Sequence, residues 1–247
     1  MRGPQNIWRL IRTGATFERT GAMGAVLDAF NAPKSLRVAA RILGAPFYWL
    51  GLRGDLSMPP ITRALTALGP AYIKFGQILS TRPDVVGNEI AQQLRVLQDR
   101  LPPFSAEIAK KTFLYETGVD PDEVFSEFSE PVAAASIAQV HRAKLAADGK
   151  IVAVKILRPR IERAFKTDID AFYFAAGMIE FLSPVSRRLR PRAVIEHFEG
   201  VVLGELDLRL ETSAAREFAA NTKYDKGFSI PSLEWPLSSR RVMTMGW

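Results

Sequence analysis

A lysine stands alone among apolar and β-branched neighbours in the run I-V-A-V-K-I-L, from Ile151 to Leu157. Such a run reads as a buried strand carrying one cation, Lys155, and a cation there needs an anionic partner. Just upstream, Asp148-Gly149 marks a hairpin, because both central residues of the favoured two-residue turn take φ > 0. The hairpin returns this strand against another near Ala138–Lys144. Before that second strand, Ala133, Ala134, Ala135 and Ser136 form a run too small-sided for ordinary core and without the usual turn residues. A small-residue loop between strands, followed by a strand lysine, is the layout of a nucleotide pocket. The loop covers phosphates, while the lysine meets the α- and β-phosphates and an acid on a following helix.

Two further groups could do chemistry. Lys74, Gln77 and Thr81 fall at i, i+3 and i+7 of a helical pattern and share a polar stripe, with Gly76 allowing another backbone to come close. Taken alone, such a stripe reads first as a solvated face. Glu205, Asp207 and Glu211 lie in a stretch, 193–220, that reads as one helix with Ile195, Phe198, Val202, Leu206, Leu210 and Ala214 as its apolar stripe. Asp207 and Glu211 at i, i+4 repel mildly unless a cation sits between them, and Lys155 and Lys74 are the natural cations.

Together these motifs resemble the UbiB family of atypical, kinase-like proteins that support ubiquinone (coenzyme Q) biosynthesis. P-V-A-A-A-S-I-A-Q-V-H-R-A followed by V-A-V-K is similar to the family's alanine-rich loop and strand lysine. Lys74-Phe75-Gly76-Gln77 is similar to its K-x-G-Q helix, and Glu205-Leu206-Asp207 with Glu211 to its E-x-D element and helix-C glutamate. The resemblance covers roughly residues 60–247 and implies an α+β fold, a protein-kinase-like N-lobe of antiparallel sheet plus long helix C, with an N-terminal helical extension and no C-lobe. It divides the chain into a basic amphipathic segment (1–57), a helical extension with the K-x-G-Q element (58–120) and an N-lobe truncated at the hinge (121–247). It also implies that Lys155 pairs with Glu211, and that Ala133, Ala134, Ala135, Ser136 and Lys155 bind ATP. Lys74, Gln77, Glu205 and Asp207 would regulate, Lys74 facing the two acids and its helix restricting access by protein substrates. Glu205 and Asp207 are about 200° apart on an ideal helix, so one lysine reaches both only if the helix is distorted or the lysine lies across its edge.

Kinase-type phosphoryl transfer needs a catalytic-loop Asp, an Asn and a metal-binding Asp. No H-R-D-like or D-F-G run is present, so the reading is that of the family's N-terminal half, with the Mg²⁺ ligands of the intact protein elsewhere and no ATP turnover by this chain alone. Implied partners are ATP, a membrane surface or prenylated quinone precursors, and other ubiquinone-biosynthesis proteins, at the cytoplasmic face of the inner membrane. The other reading is a non-catalytic module that docks lipid or protein. The 2-polyprenylphenol hydroxylase activity also attributed to the family has no support in the residues, which show no flavin or nicotinamide fingerprint and no iron facial triad.

Composition agrees with a packed core: 247 residues, 47% hydrophobic. The absence of cysteine excludes a disulfide framework and thiol chemistry, and two histidines without H-E-x-x-H argue against a zinc centre. A net charge of +7 favours an anionic partner, but no base-reading motif points to nucleic acid. No acid precedes Glu18. The run Val38 to Leu52, interrupted by Arg41 and Pro46, is too short to span a bilayer, and its Phe47, Tyr48 and Trp49 suit either a membrane interface or a helix packed on the body.

Elsewhere the pattern predicts a helix from Met58 with a break at Gly69-Pro70 and an end at Arg82-Pro83-Asp84. A helix then follows from about Gly87 to Leu101, and another from Ser105 to Glu116 capped by Ser105. A short strand is expected near Val124–Phe128, with His141 as a structural imidazole at a strand edge. A helix from Ile161 to Leu182 stops at Ser183-Pro184. The basic run Arg187, Arg188, Arg190 and Arg192 is a solvated linker or part of a membrane-facing patch, and strands fall near Ile230–Leu233 and Arg241–Met245.

Overall fold

Proline and glycine punctuate the first part of the chain, and the helices restart where they fall. The computed structural model describes residues 4–29, 33–97, 102–182, 187–188, 190–227 and 229–247. Its opening helices are α1 (Pro4–Thr20), α2 (Ala22–Ala29), α3 (Lys34–Gly44), α4 (Pro60–Leu68), α5 (Pro70–Ser80), α6 (Pro83–Val86) and α7 (Asn88–Leu94). Between α3 and α4, Ala45–Leu50 make a 3-10 turn. Proline opens α4, α5 and α6, where a missing N–H costs nothing. Gly69, at φ 117°, supplies the break between α4 and α5. The expected Leu101 and Ser183-Pro184 helix ends lie outside the described residues.

The chain continues as α8 (Ala106–Thr117), α9 (Pro121–Val124), β1 (Phe125–Ala134), β2 (Ala138–Leu145), β3 (Ile151–Leu157), α10 (Ile161–Leu182), α11 (Pro191–Glu205), α12 (Leu208–Asn221) and β4 (Val242–Gly246). The Ser105 side chain accepts from the N–H of Ile108 and caps α8. The strands form one antiparallel sheet in the order β1-β2-β3-β4. Among the described residues no helix is long and apolar enough to cross a membrane.

Several sequence expectations need correction. β1 runs on past Phe128 to Ala134, because the alanines pair with β2: Ala133 opposes Val140 and Ala134 opposes Gln139. The β2–β3 connection is wider than two residues, and only Gly149 in it has positive φ, at 73°. It is closed by Gly149 N–H donating to Leu145 O (3.0 Å) and by the Asp148 carboxylate accepting from Lys150 N–H (2.9 Å). The stretch 230–233 contributes a single bridge, Leu233 to Met245, not a strand. The single helix expected over 193–220 is two helices, α11 and α12, separated at Leu206-Asp207.

The chain forms two compact units, Met1–Gln98 with Arg163–Phe198 and Asp99–Glu162 with Glu199–Trp247. In the first, Tyr72 meets Phe172 edge-on (4.8 Å), and Phe75 packs on Phe172 and Phe198. Gly76 is needed there for a different reason than the sequence suggested. A Cβ would fall 2.4 Å from Leu97 Cδ1 and 2.7 Å from Leu65 Cδ1, so the glycine makes room for leucine side chains, not for a second backbone. Arg9 of α1 is ion-paired with buried Asp168 of α10, whose pKa burial pushes up to about 6 against the pull of Arg9. In the second unit, Phe113, Phe125, Ala143, Val152, Val154, Ile156 and Val242 form the core beneath the sheet.

Candidate nucleotide site

The register of the sheet sorts its side chains. Gln139, His141 and Ala143 of β2 oppose Ile156, Val154 and Val152 of β3, and this face is buried in the core. The alternate positions, Val140 opposite Lys155 opposite Met243, point to the other face. There Lys155 Nζ donates to both carboxylate oxygens of Glu211, at 2.8 and 2.7 Å. Glu211 sits in the first turn of α12, which is tied to the sheet's far end by Leu208 N–H donating to Arg240 O (2.9 Å). The pair is more open than the strand pattern implied, the lysine side chain being 25% and the glutamate 49% exposed. An exposed ion pair stabilises a fold by about 0–1 kcal/mol, so stability alone does not account for a lysine within this strand.

The alanine run is likewise rearranged. Ala133 and Ala134 belong to β1, and the chain reverses over 135–138 with Ala135 N–H donating to Ala138 O (2.8 Å). No residue of the reversal has positive φ, in keeping with side chains that exclude it, and Ser136 is buried. Arg158, just past β3, clamps the loop: its Nε donates to Ala135 O (3.1 Å), its backbone N–H to Ile137 O (2.8 Å), and its Nη1 to Pro102 O (2.9 Å). Sequence reasoning missed this role. The signal was available, since an arginine three residues beyond the strand lysine lies beside the strand's hairpin partner.

Asp207 is not a helical residue. It is the N-cap of α12, its carboxylate accepting from the Arg209 N–H (3.1 Å) and held by the Arg209 guanidinium at 2.9 and 2.6 Å. The arginine's hydrogen bonds keep its pKa below the ordinary carboxylate value. Glu205 ends α11, so the two acids stand on either side of a break, and the ideal-helix angle between them no longer applies. Lys74 and Gln77 lie on α5 in the first unit, where Gln77 Nε2 donates to Leu97 O (3.0 Å).

His141 is not at a sheet edge, because β1 covers β2, and the residue is fully buried. Its Nδ1–H donates to Ser129 O (2.8 Å), leaving Nε2 to accept from Gln139 Nε2 (2.8 Å). The same Gln139 amide brackets Phe104, accepting from its N–H and donating to its C=O, both at 2.9 Å. Burial lowers the His141 pKa. The unfolded chain therefore takes up the proton first, near pH 6.5. The stability this neutral imidazole confers is complete above about pH 6.5 and is lost as pH falls through the lower folded value. A fall in urea midpoint below about pH 6.5, reduced in His141→Asn, is the expected result; equal falls in both proteins would refute it.

Residues 96–247 match the family model described as ABC1 atypical kinase-like domain. A "Probable protein kinase UbiB" of Marinobacter nauticus is 39% identical over 183 residues, 74% of this chain and 33% of that protein. The Pseudomonas aeruginosa protein of the same name is 39% identical over 210 residues (83% and 39%), and that of Aliivibrio fischeri 41% over 181 residues (73% and 33%). The chain thus spans between about a third and two-fifths of the length of these curated relatives. Among solved structures, "The complex structure of Rv3197-erythromycin from Mycobacterium tuberculosis" superposes with a TM-score of 0.50 at 29% identity, covering 72% of this chain and 44% of that one.

Proposed function

Because the chain belongs to the ABC1 atypical kinase-like family, we propose that its second unit is the ATP-binding lobe of a UbiB-type atypical kinase or ATPase supporting ubiquinone biosynthesis. The observation that carries this is the two-oxygen contact of Lys155 with Glu211 on the open face of the sheet. In this reading the carboxylate holds the ammonium in place, and the ammonium's remaining donor capacity meets the α- and β-phosphates. The Arg158-clamped reversal after Ala133 and Ala134 flanks the phosphates. Among the described residues no group of three or more His, Asp or Glu could hold a metal ion, so the Mg²⁺ implied by the family finds no ligand set here and enters no step.

Lys74, Gln77, Glu205 and Asp207 are proposed as the regulatory set, and 1–57, 58–120 and 121–247 as the functional divisions. The proposed substrates and partners of the whole protein are prenylated quinone precursors and other ubiquinone-biosynthesis proteins, met at the cytoplasmic face of the inner membrane.

The test is thermal unfolding with ATP. At about a hundred times its dissociation constant, a ligand stabilises the folded state by about 2.7 kcal/mol, which raises the midpoint by roughly 5–11 °C for a chain of this size. Lys155→Met should abolish that shift while changing the unliganded midpoint little, because the ion pair is open to solvent. A shift that survives Lys155→Met, or no shift with ATP in the native protein, would overturn the assignment.

A further inference from the structure

Helix α3 is amphipathic, yet its apolar side is in water. Val38, Ile42 and Leu43 occupy one broad arc, with Ile42 66% and Leu43 73% exposed, while Lys34, Arg37 and Arg41 occupy the opposite arc. The 3-10 turn that follows adds Phe47, Tyr48 and Trp49, the last 71% exposed. Apolar residues left in water by a mobile segment would mean little, but this turn is pinned.

Arg19 of α1 donates to the carbonyls of Trp49 (3.2 Å) and Gly51 (2.6 Å) and lies over the Tyr48 ring. Leu52 N–H donates to Thr16 Oγ1 (3.1 Å), and Trp49 Nε1 donates to Pro46 O (3.0 Å). Gly51 passes so close to α1 that a Cβ would lie 2.3 Å from Ala15 O. The aromatic residues are therefore presented by built structure. From Lys34 to Arg53 there is no acidic residue. Arg37 is offset by Asp28, but Lys34, Arg41 and Arg53 have no carboxylate partner among the described residues.

We propose that α3 and the aromatic turn form an in-plane docking surface for an anionic phospholipid bilayer. Lys34, Arg41 and Arg53 meet headgroup phosphates, and Ile42, Leu43 and Trp49 enter the boundary between headgroups and acyl chains. Charge favours lipid over a protein partner: an exposed aliphatic arc, aromatic residues able to sit at headgroup level and unpaired cations are the three features a membrane interface rewards together. The inference supplies the surface by which the membrane location proposed above would be reached, and it does not depend on the nucleotide site.

The test is co-sedimentation of the full chain with phosphatidylcholine vesicles, with and without phosphatidylglycerol. Binding is expected to need phosphatidylglycerol, to weaken with salt, and to fall about fivefold for each of Lys34→Gln, Arg41→Gln and Arg53→Gln, the equivalent of about 1 kcal/mol per basic residue at an anionic surface. Trp49→Ser should also weaken it. The native chain has no cysteine, so a dye on Leu43→Cys reports insertion directly. Its emission should move to shorter wavelength with phosphatidylglycerol vesicles, while a dye on Tyr224→Cys, exposed in the second unit, should not respond. Lys155→Met should bind vesicles like the native chain, so either proposal can fail without the other. Absence of vesicle binding, binding indifferent to Arg41→Gln and Trp49→Ser, or a vesicle-free dimer dissociated by Trp49→Ser would overturn the proposal, the last by assigning the surface to a second copy of the chain.

Discussion

Gly51→Ala is expected to destabilise the first unit by about 3 kcal/mol, the upper end of the usual cost of overpacking. The position has an ordinary φ of −68°, so the effect is one of space and not of backbone strain. A methyl there meets Ala15 O at 2.3 Å, Ala15 C at 2.6 Å and Thr16 N at 2.9 Å. All three are backbone atoms of α1, and a helix backbone cannot step aside as a leucine tip can. The chain after the aromatic turn would have to lift from α1, losing the Arg19 bonds to Trp49 and Gly51 and the Leu52 bond to Thr16. Thermal unfolding should show the loss, and limited proteolysis should show earlier cleavage near residues 45–55. A melting midpoint and cleavage pattern unchanged from the native chain would mean that α1 does not hold the turn as described.

Gln139→Ala should cost more, about 4 kcal/mol, because three polar groups, one fully buried and two partly buried, lose their partner at once. The N–H and C=O of Phe104 and Nε2 of His141 all bond to this one amide, and each unsatisfied buried group costs about 1–3 kcal/mol. Urea unfolding of the second unit measures the difference, and a loss below about 1 kcal/mol would mean the network carries little weight. Gln139 also opposes Ala134 at the end of β1. The substitution should therefore loosen the reversal beside the proposed nucleotide site and weaken ATP binding without touching Lys155.

How far these features could be read from the sequence varied with how local their causes are. The start of α10, the cap of α8 and the break at Gly69 rest on nearby residues, and the structure has them where the pattern put them. The strand identity of Ile151–Leu157 was equally plain, because it is apolar on both faces. The break between α11 and α12 carries no proline or glycine at Leu206-Asp207. It is set by burial of Leu206 and Leu208 on either side of Asp207, by the Leu208 bond to Arg240 and by Asp207 as a cap, and only the last is visible locally. Alanine's weak strand preference likewise hid the tail of β1, which cross-strand pairing with β2 overrides. The interior position of His141 could not be deduced without knowing how far β1 extends. The Lys155–Glu211 contact joins residues 56 apart, and the lysine's isolation in an apolar strand signalled a partner without saying which.

The strand order has a consequence for how the chain is made. β4 is synthesised roughly 85 residues after β3, although the two are neighbours in the sheet. At ribosomal speeds of about 5–20 residues per second, the outer edge of β3 waits roughly 4 to 17 s for its partner. Throughout that interval Ile151–Leu157 offers an unpaired row of amides and carbonyls on a strongly apolar segment, a template for pairing with another nascent chain. Holdase chaperones and slower, cooler expression should consequently govern how much of this protein is recovered in soluble form.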